Sequence, residues 1–509
     1  MNKVISIGNQ GFDKIRENDY FYVDKTGFIK EWWESGDDVT LITRPRRFGK
    51  TLNMDMLKCF FSNQYTGRAD LFEGLSIWKE EKYRELQGQY PVIFVSFASI
   101  KANNYKDARD GIISAVFGAY QEYYSLFQEN GIAESEKLFF RELNTYVNTT
   151  APDKEITNES IFRALNSLSA CLFRYYGKKA IILLDEYDTP MQEAYIHGYW
   201  EEFTGFMRSL FNATFKTNPY LQRAIMTGIT RVSKESMFSD LNNLNVVTMT
   251  SKEYASAFGF TEEEVDALCQ EYGMSFEETK AWYNGYGLWT HSREGDQFYS
   301  MYSPKSVVEA MLRHKFGTYW NQTETYEALK VYIQMNMDGL KDSVVEMLAG
   351  GSVRINTGTF SNDMTTFATK DDVLTLLVHL GYLTYDSLKE EVSIPNKEVS
   401  KEYVNAISTM DWKEVITSVE ASRKLLNSLW DMDEETVAEG IDKAHREISI
   451  LQYNDENSLS CTINLAFYFA REYYTIVREL PTGKGFADIC FIPRKIHADK
   501  PAVFLELKW

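Results

Sequence analysis

Residues 39–51 read VTLITRPRRFGKT, and this stretch decides the fold. Its first five residues are an apolar run of the kind that becomes a buried strand. The stretch ends in Gly49-Lys50-Thr51, and residues 51–61 have the pattern of a helix. A strand, a basic loop with this tripeptide and a helix, in that order, are the context of a phosphate-binding loop, or Walker A motif. Residues 39–51 therefore predict an α/β nucleotide-binding core.

The chemistry of the loop follows from its residue types. Backbone N–H groups at a helix N-terminus point at phosphate oxygens, the Lys50 ammonium would bridge the β- and γ-phosphates, and the Thr51 hydroxyl would ligate Mg²⁺. Gly-Lys-Thr also occurs by chance, and the full motif has Gly where this chain has Arg44. The arginines could instead form a solvated basic turn. We expect the loop to bind ATP with Mg²⁺ through Arg44, Arg46, Arg47, Phe48, Gly49, Lys50 and Thr51.

A second apolar run, at residues 181–184, ends in the adjacent acids Asp185 and Glu186, 185 − 50 = 135 residues after Lys50. This is a Walker B pattern: Asp185 would hold Mg²⁺ through water, and Glu186 would orient and polarise the attacking water. An ordinary core strand that runs into an acidic turn is the alternative.

A third apolar run, at residues 224–226, precedes polar groups that could sense the γ-phosphate, among them Thr227 and Gly228. A plain turn at the end of a strand would look the same. We take Thr230 and Arg231 as catalytic candidates beside Glu186 and Lys50, with Arg231 a candidate arginine finger. With the run at 92–95, these strands alternate with helices such as 162–176, which predicts a parallel sheet covered on both faces.

The composition limits the other possibilities. A length of 509 residues predicts about three domains, and 44% hydrophobic with 25% charged residues is typical of a soluble, folded protein. A net charge of −19 opposes non-specific binding to nucleic acid or to anionic membranes. The five cysteines form no C-x-x-C pair, and no run of about 18 apolar residues could span a bilayer. We expect a cytoplasmic protein without a membrane partner.

Beyond residue 250 the pattern changes. Capping-box signatures at Thr261-x-x-Glu264 and Ser275-x-x-Glu278 predict a small helical subdomain. An apolar helix at 373–380 is followed by two short strand patterns, which suggests a winged-helix-like unit. Residues 411–443 are acidic and helical, and the last 60 or so residues again have an α/β pattern.

The chain resembles the bacterial AAA-ATPase-like proteins that carry a C-terminal PD-(D/E)XK nuclease-like domain. The resemblance lies in YVDKT (22–26), RPRRFGKT (44–51), LDEYD (184–188), TGITRVSK (227–234), WYNGY (282–286), YSP (302–304) and IPNKEV (394–399). It implies that Arg44 is a family trait and that Asp24, Lys25 and Thr26 lie near the nucleotide. It also implies an ATPase core at 1–250, a helical lid at 251–330, a winged-helix-like unit at 331–410, and a helical linker with a nuclease-like domain at 411–509.

A nuclease site of this type needs an acid on one strand and E-x-K on the next, because two carboxylates share Mg²⁺ while a lysine activates water. Asp488 and Glu506 would be the metal ligands and Lys508 the catalytic lysine. Glu456 resembles the additional catalytic acid of the family, and Glu479 is a weaker candidate. Since Trp509 follows Lys508 directly, we expect this domain to be truncated and its activity to be doubtful.

Three functional hypotheses remain open. The first is an ATPase whose nucleotide state switches the arrangement of its C-terminal modules. The second is a Mg²⁺-dependent nuclease of the mobile-element or defence type, with nucleic acid as partner. The third is a module that binds ATP without turnover and interacts with another protein. The sequence does not predict an oligomeric state.

Overall fold

A computed structural model describes most of the chain. Its described residues are 3–129, 132–149, 155–230, 238, 241–249, 251, 253–292, 295–320, 327–335, 337–358, 360, 367–408, 413–447, 456–481 and 485–507.

The chain divides into two compact units. Unit 1 comprises Met1–Phe316, Thr357–Phe367 and Thr375–Gly381, and unit 2 comprises Gly317–Asn356, Ala368–Leu374 and Tyr382–Trp509. Helix α15 (Lys370–Leu380) is divided between the units. The finer division at residues 250, 330 and 410 stays a prediction.

Unit 1 alternates strands with helices through its first half and then becomes mostly helical. Its elements are α1 (Phe12–Glu17), α2 (Gly27–Ser35), β1 (Val39–Thr43), α3 (Lys50–Phe61), α4 (Glu81–Arg84), β2 (Val92–Ser96), α5 (Tyr105–Gln121), α6 (Glu134–Asn148), α7 (Asn158–Tyr176), β3 (Ala180–Asp185), α8 (Thr189–Ile196), α9 (Trp200–Phe211), β4 (Leu221–Gly228), β5 (Leu244–Val247), α10 (Glu262–Tyr272), α11 (Phe276–Tyr283), β6 (Tyr286–Ser292), β7 (Gly295–Met301) and α12 (Pro304–Arg313).

The core of unit 1 is a five-stranded parallel sheet in the order β2-β3-β4-β1-β5. Every residue of β1 and β3 is buried, as expected of parallel strands covered on both faces. Alternate residues such as Val39 and Leu41 join one large hydrophobic core with α5, α7 and α9. On β1, Thr40 instead accepts a hydrogen bond from the indole N–H of Trp32 in α2, at 3.3 Å. The predicted α/β class, with a P-loop NTPase-like strand, loop and helix, is confirmed.

The part of unit 1 after residue 250 contains both predicted helix starts. Thr261 and Glu264 form a reciprocal capping box at α10, and the Ser275 hydroxyl accepts the Glu278 N–H at 3.3 Å at the start of α11. An antiparallel hairpin, β6–β7, follows and was not predicted. Within it Tyr286, Leu288 and Met301 are buried, so the hairpin is held by packing as well as by backbone pairing.

Within its described residues, unit 2 contains two antiparallel three-stranded sheets. One has the order β8 (Val353–Arg354), β10 (Glu391–Ser393), β9 (Thr384–Asp386), and the other has the order β11 (Tyr474–Pro481), β12 (Phe486–Pro493), β13 (Val503–Leu505). Leu426, Phe467, Tyr474, Ile489 and Phe491 belong to one hydrophobic core that joins helices to the second sheet. The elements are α13 (Glu327–Ile333), α14 (Leu340–Leu348), β8 (Val353–Arg354), part of α15, β9 (Thr384–Asp386), β10 (Glu391–Ser393), α16 (Lys397–Ser408), α17 (Lys413–Trp430), α18 (Glu434–Glu447), α19 (Glu456–Ala466), α20 (Ala470–Tyr473), β11 (Tyr474–Pro481), β12 (Phe486–Pro493) and β13 (Val503–Leu505).

Candidate functional site

The loop between β1 and α3 lies at the carboxyl edge of the parallel sheet. Two of its residues have left-handed backbone, Arg47 with φ of 67° and Gly49 with φ of 84°. Gly49 is the N-cap of α3, and Gly adopts this conformation without the steric cost that a Cβ brings. Lys50 and Thr51 are then the first two residues of the helix, as a phosphate-binding loop requires.

Lys50 is folded back into the loop. Its side chain is buried, with 5% of the residue exposed, and its ammonium donates to the carbonyls of Arg44 at 2.9 Å and Pro45 at 3.0 Å. Burial lowers the pKa of Lys50, whereas the carboxylates of Glu186 and Asp188 oppose that shift. Among the residues that the structure describes, the ammonium is bonded to carbonyls alone, and a cation held in this way beside carboxylates is chemically suited to exchange the carbonyls for phosphate oxygens.

Asp185, the last residue of β3, joins two other segments of the chain. Its Oδ2 accepts the Thr51 hydroxyl at 2.8 Å, and its Oδ1 accepts the Thr227 hydroxyl at 2.6 Å. Burial raises the pKa of Asp185, and the two hydroxyl donors oppose that rise. Carboxylate and hydroxyl oxygens are hard ligands that fit Mg²⁺, which is commonly held by one or two carboxylates, several waters and substrate phosphates. Asp185 and Thr51 are therefore the residues that would hold it.

Glu186 follows directly and has left-handed backbone, with φ of 51°. It is half-buried, and its Oε2 accepts the Thr189 hydroxyl at 3.2 Å. Sequence order alone placed the two acids side by side, and the structure adds that the chain turns sharply between β3 and α8 at the second one.

Thr230 is buried next to Asp188. Only 3% of the residue is exposed, and its hydroxyl donates to Asp188 Oδ2 at 2.9 Å. Its predicted catalytic role stays a prediction, and in this structure the hydroxyl serves to bind Asp188. Arg231 lies outside the described residues.

Arg44 has a position that its sequence context does not indicate. The residue is 0% exposed, and its guanidinium donates to the carbonyls of Thr43, Thr248 and Glu253 at 3.0, 2.7 and 3.0 Å. Burial lowers the pKa of Arg44 to about 10, against the opposing effect of Glu31 and Glu253. The side chain thus holds the loop against the segment that follows β5, and its predicted contact with phosphate stays a prediction.

The remaining loop residues are of two kinds, one buried and two that solvent reaches. Phe48 is 1% exposed, packs edge-on against Tyr286 with 5.0 Å between ring centroids, and accepts the Gly259 N–H at 3.1 Å through its carbonyl. Arg46 is half-buried and donates to Gln192 Oε1 at 3.4 Å, while Arg47 is exposed. Phe48 therefore anchors the loop, and Arg46 and Arg47 are the arginines that solvent reaches.

Asp24, Lys25 and Thr26 make bonds within the protein. Lys25 donates to both oxygens of Glu264, at 2.8 and 2.7 Å, and to the Ser256 carbonyl at 2.9 Å. Asp24 accepts the N–H and hydroxyl of Thr26 at 2.9 and 2.6 Å, immediately before α2. These bonds tie the segment before α2 to α10 and its approach, and the implied proximity to nucleotide stays a prediction.

The candidate nuclease residues are in unit 2. Ile489 on β12 pairs with Leu505, the last residue of β13, so Asp488 on β12 and Glu506 just after β13 are the next positions along the two segments. Asp488 is half-buried and its Oδ2 accepts the Leu507 N–H at 2.5 Å, whereas Glu506 is exposed. Glu479 is exposed on β11 with φ of 52°.

Of the other two candidates, Glu456 is the first residue of α19, and Lys508 lies outside the described residues. Within the described part of the chain, no group of three or more His, Cys, Asp or Glu side chains is arranged to hold a metal ion. Nor does any helix in those ranges have the length and apolar character needed to cross a membrane.

Asp188 is the residue that sequence reasoning missed. It is 0% exposed, and its Oδ2 accepts N–H groups from Ile229 at 2.9 Å and Thr230 at 2.8 Å. Its spacing after Asp185 and Glu186 was visible in the sequence, but its partners are more than 40 residues away.

Comparison with known proteins agrees with a candidate nucleotide site in the N-terminal half of the chain. Residues 6–238 match the family model of AAA-ATPase-like proteins, described as predicted AAA-ATPase. An uncharacterized protein from the vnfD 5′ region of Azotobacter chroococcum mcd 1 is 30% identical over 327 residues. The match covers 64% of this chain and 54% of that protein, so the chain spans about half the length of the curated relative.

Among solved structures, Cdc6p from Pyrobaculum aerophilum aligns with 9% identity and a TM-score of 0.21, over 75% of this chain and 92% of that one. A TM-score this low carries no weight for fold or function. The family match, in contrast, includes the loop, the acids Asp185 and Glu186 at the end of β3 and just after it, and the residues that follow β4. Over residues 6–238 the chain is therefore similar to the AAA-ATPase-like proteins.

Proposed function

We propose that this chain binds ATP with Mg²⁺ at the loop of residues 44–51 and hydrolyses it, and that turnover switches the arrangement of its C-terminal modules. The observation that carries the proposal is the 2.8 Å hydrogen bond from the Thr51 hydroxyl to Asp185, which joins the start of α3 to the end of β3. That bond brings the two motifs to one edge of the sheet.

The residues would divide the work as follows. Lys50 and the N–H groups at the start of α3 would bind the phosphates, while Thr51 and Asp185 would hold Mg²⁺. When bound, Mg²⁺ supplies charge neutralisation at the phosphate oxygens. Glu186 would orient water and accept its proton, since it is half-buried at the same edge.

The test is phosphate release from Mg-ATP by the full chain, with nucleotide binding measured in parallel. Lys50→Ala should lose both binding and turnover, whereas Glu186→Gln should keep binding and lose turnover. A wild-type protein that binds ATP and releases no phosphate, with Glu186→Gln indistinguishable from it, would favour a non-catalytic binding module. A wild type that does not bind ATP contradicts the proposal.

The switching part has its own measurement. Limited proteolysis with and without Mg-ATP should give different cleavage patterns in the wild type, and the difference should be absent in Lys50→Ala. An identical pattern under both conditions would remove switching from the proposal and leave ATP hydrolysis standing.

A nuclease is the second candidate, and the observation that favours it is the hydrogen bond from the Leu507 N–H to Asp488, which brings the segment around Glu506 alongside β12. Mg²⁺-dependent cleavage of linear DNA by the full chain, lost in Asp488→Asn and in Lys508→Ala, would support it. Cleavage that survives both substitutions would assign the activity to something other than this site.

A further inference from the structure

We propose that Asp188 is a positioning residue that holds Glu186 in place for the proposed hydrolysis of ATP, by binding the backbone that follows β4. The proposal rests on the proposed function, and it concerns how the sheet edge fixes its base. Asp188 does not reach the reacting atoms in this assignment and acts through Glu186.

The backbone of Glu186 needs something to hold it. A residue with a Cβ is disfavoured in the left-handed region, and Glu186 has φ of 51° there. Such conformations persist where the surrounding structure determines them, often at functional sites. The question is which contacts keep the chain in this conformation.

The two residues after Glu186 supply those contacts. The Tyr187 N–H donates to the Thr227 carbonyl at 3.0 Å, and the Tyr187 hydroxyl donates to the Thr230 carbonyl at 2.7 Å. Asp188 Oδ2 accepts the N–H groups of Ile229 and Thr230 and the Thr230 hydroxyl, all within 2.9 Å. Residues 187 and 188 are thus bonded to the end of β4 on both sides of Gly228.

Gly228 shows how closely these groups approach. A Cβ built at this position would lie 2.6 Å from Tyr187 Cε1 and 2.7 Å from Asp188 Oδ1. No side chain fits there unless the Tyr187 ring and the Asp188 carboxylate both move. The close packing and the hydrogen bonds therefore fix the same turn, and that turn begins at Glu186.

The consequence concerns the direction of the Glu186 side chain. Asp185, just before it, is held by the hydroxyls of Thr51 and Thr227, and Asp188, two residues after it, is held by residues 229 and 230. With both flanks fixed to neighbouring elements, the Glu186 backbone is held, and with it the direction of its Cα–Cβ bond. A base held in this way is preorganised for proton transfer.

The experiment uses the full chain and two changes at Asp188. Asp188→Asn keeps one oxygen that can accept the N–H groups, and Asp188→Ala keeps none. We expect kcat for phosphate release to fall less in Asp188→Asn than in Asp188→Ala, where the fall should be about 10-fold to 100-fold. The KM for Mg-ATP and the Kd of mant-ATP should change little. Gly228→Ala, which leaves the carboxylate charge in place, should also lower kcat and not affinity.

Asp372→Asn is the matched control, because Asp372 is 3% exposed and also accepts two backbone N–H groups, from Ala368 and Thr369 at 2.9 Å each. It should lower the thermal midpoint about as much as Asp188→Asn and leave kcat unchanged. If Asp188→Ala does not fold, Asp188→Asn and Gly228→Ala still decide the matter.

A double substitution separates positioning from general support. If Asp188 acts through Glu186, adding Asp188→Asn to Glu186→Gln should reduce turnover no further, whereas independent effects would multiply. Wild-type kcat in folded Asp188→Ala, or multiplied effects in the double variant, would overturn the inference alone. Absence of phosphate release by the wild type would instead overturn the proposed function on which it rests.

Discussion

The two acidic sites of this chain differ in how their carboxylates are held. Asp185 is buried, and each of its oxygens accepts a hydroxyl from another segment of the chain. Asp488 is half-buried and accepts a backbone N–H, and its neighbour Glu506 is exposed. A preorganised site needs side chains fixed by their surroundings, and that condition is met in the parallel sheet far more fully than in the antiparallel one.

The difference follows from the geometry of the two kinds of sheet. In the parallel sheet, the carboxyl ends of β1, β3 and β4 meet at one edge, so loops from distant parts of the sequence converge there. In β11-β12-β13 the strands run antiparallel, so the carboxyl ends of neighbouring strands lie at opposite edges of the sheet and do not converge. Acidic residues at the end of a strand are therefore more enclosed in the parallel sheet than in the antiparallel one.

The largest expected effect is on ATP turnover, which should depend on the acids of the parallel sheet and not on those of the antiparallel sheet. Glu186→Gln should lower kcat for ATP by about 100-fold or more, because the proposed general base is lost, while Asp488→Asn should leave ATP turnover within about twofold. Phosphate release under saturating Mg-ATP measures both. Equal losses in the two variants would mean that the sites are coupled.

A second prediction compares a buried ion pair with an exposed one. The side chains of Lys25 and Glu264 are 10% and 26% exposed, and those of Arg354 and Glu390 in unit 2 are 76% and 56% exposed. Lys25→Met should destabilise the fold by about 2–3 kcal/mol, because it leaves Glu264 partly buried without its cation. Arg354→Met should not change the midpoint of chemical unfolding measurably, since exposed pairs add little. Similar losses in both would show that burial is not the deciding factor.

The third prediction concerns pH. Burial raises the pKa of Asp185 in the folded state, so its ionised form opposes folding above the unfolded pKa. Without Mg²⁺ or nucleotide, Asp185→Asn should stabilise the protein at pH 7 by about 1 kcal/mol, or about 1 °C in midpoint for a chain of this size. The advantage should shrink as the pH falls through the raised pKa, because the wild type then also becomes neutral. An advantage that grows toward low pH would contradict the sign.

The smallest expected effect concerns backbone strain. Glu186 and Glu479 both have left-handed backbone, at φ of 51° and 52°. Glu186→Gly should be more stable than Glu186→Ala by about 1 kcal/mol, since Gly adopts this region freely. Glu479→Gly should likewise be more stable than Glu479→Ala. Thermal unfolding of the four variants measures both differences. If Ala is the more stable at either position, the backbone there does not carry this strain.

Much of the site could be predicted because its motifs are local. The strand at 39–43 was predicted with the bounds of β1, and the helix after it begins one residue earlier than predicted, at Lys50. The capping box at Thr261 and Glu264 was also predicted and is present. Each of these depends on residues within a few positions of one another, where propensity and side-chain capping act.

Other features depend on partners far along the chain. Arg44 bonds a carbonyl 204 residues away and another 209 residues away, so its burial has no local signal. The same holds for Asp188, whose partners follow β4, and for the hairpin β6–β7, which packing stabilises. A motif can place an acid next to a strand, but only the assembled sheet decides which hydroxyls and N–H groups meet it.

Arg44 carries a practical lesson for protein engineering. A scheme that adjusts sequences toward the common glycine-rich pattern would score Arg44→Gly as a repair of the loop. In this chain that repair would delete three donors to the carbonyls of residues 43, 248 and 253, together with the ring contact to Phe258 at 5.7 Å. The loop would gain a familiar sequence and lose its attachment to the segment behind it. Ranking AAA-ATPase-like chains by how closely their loops match the common pattern would therefore misjudge chains built in this way.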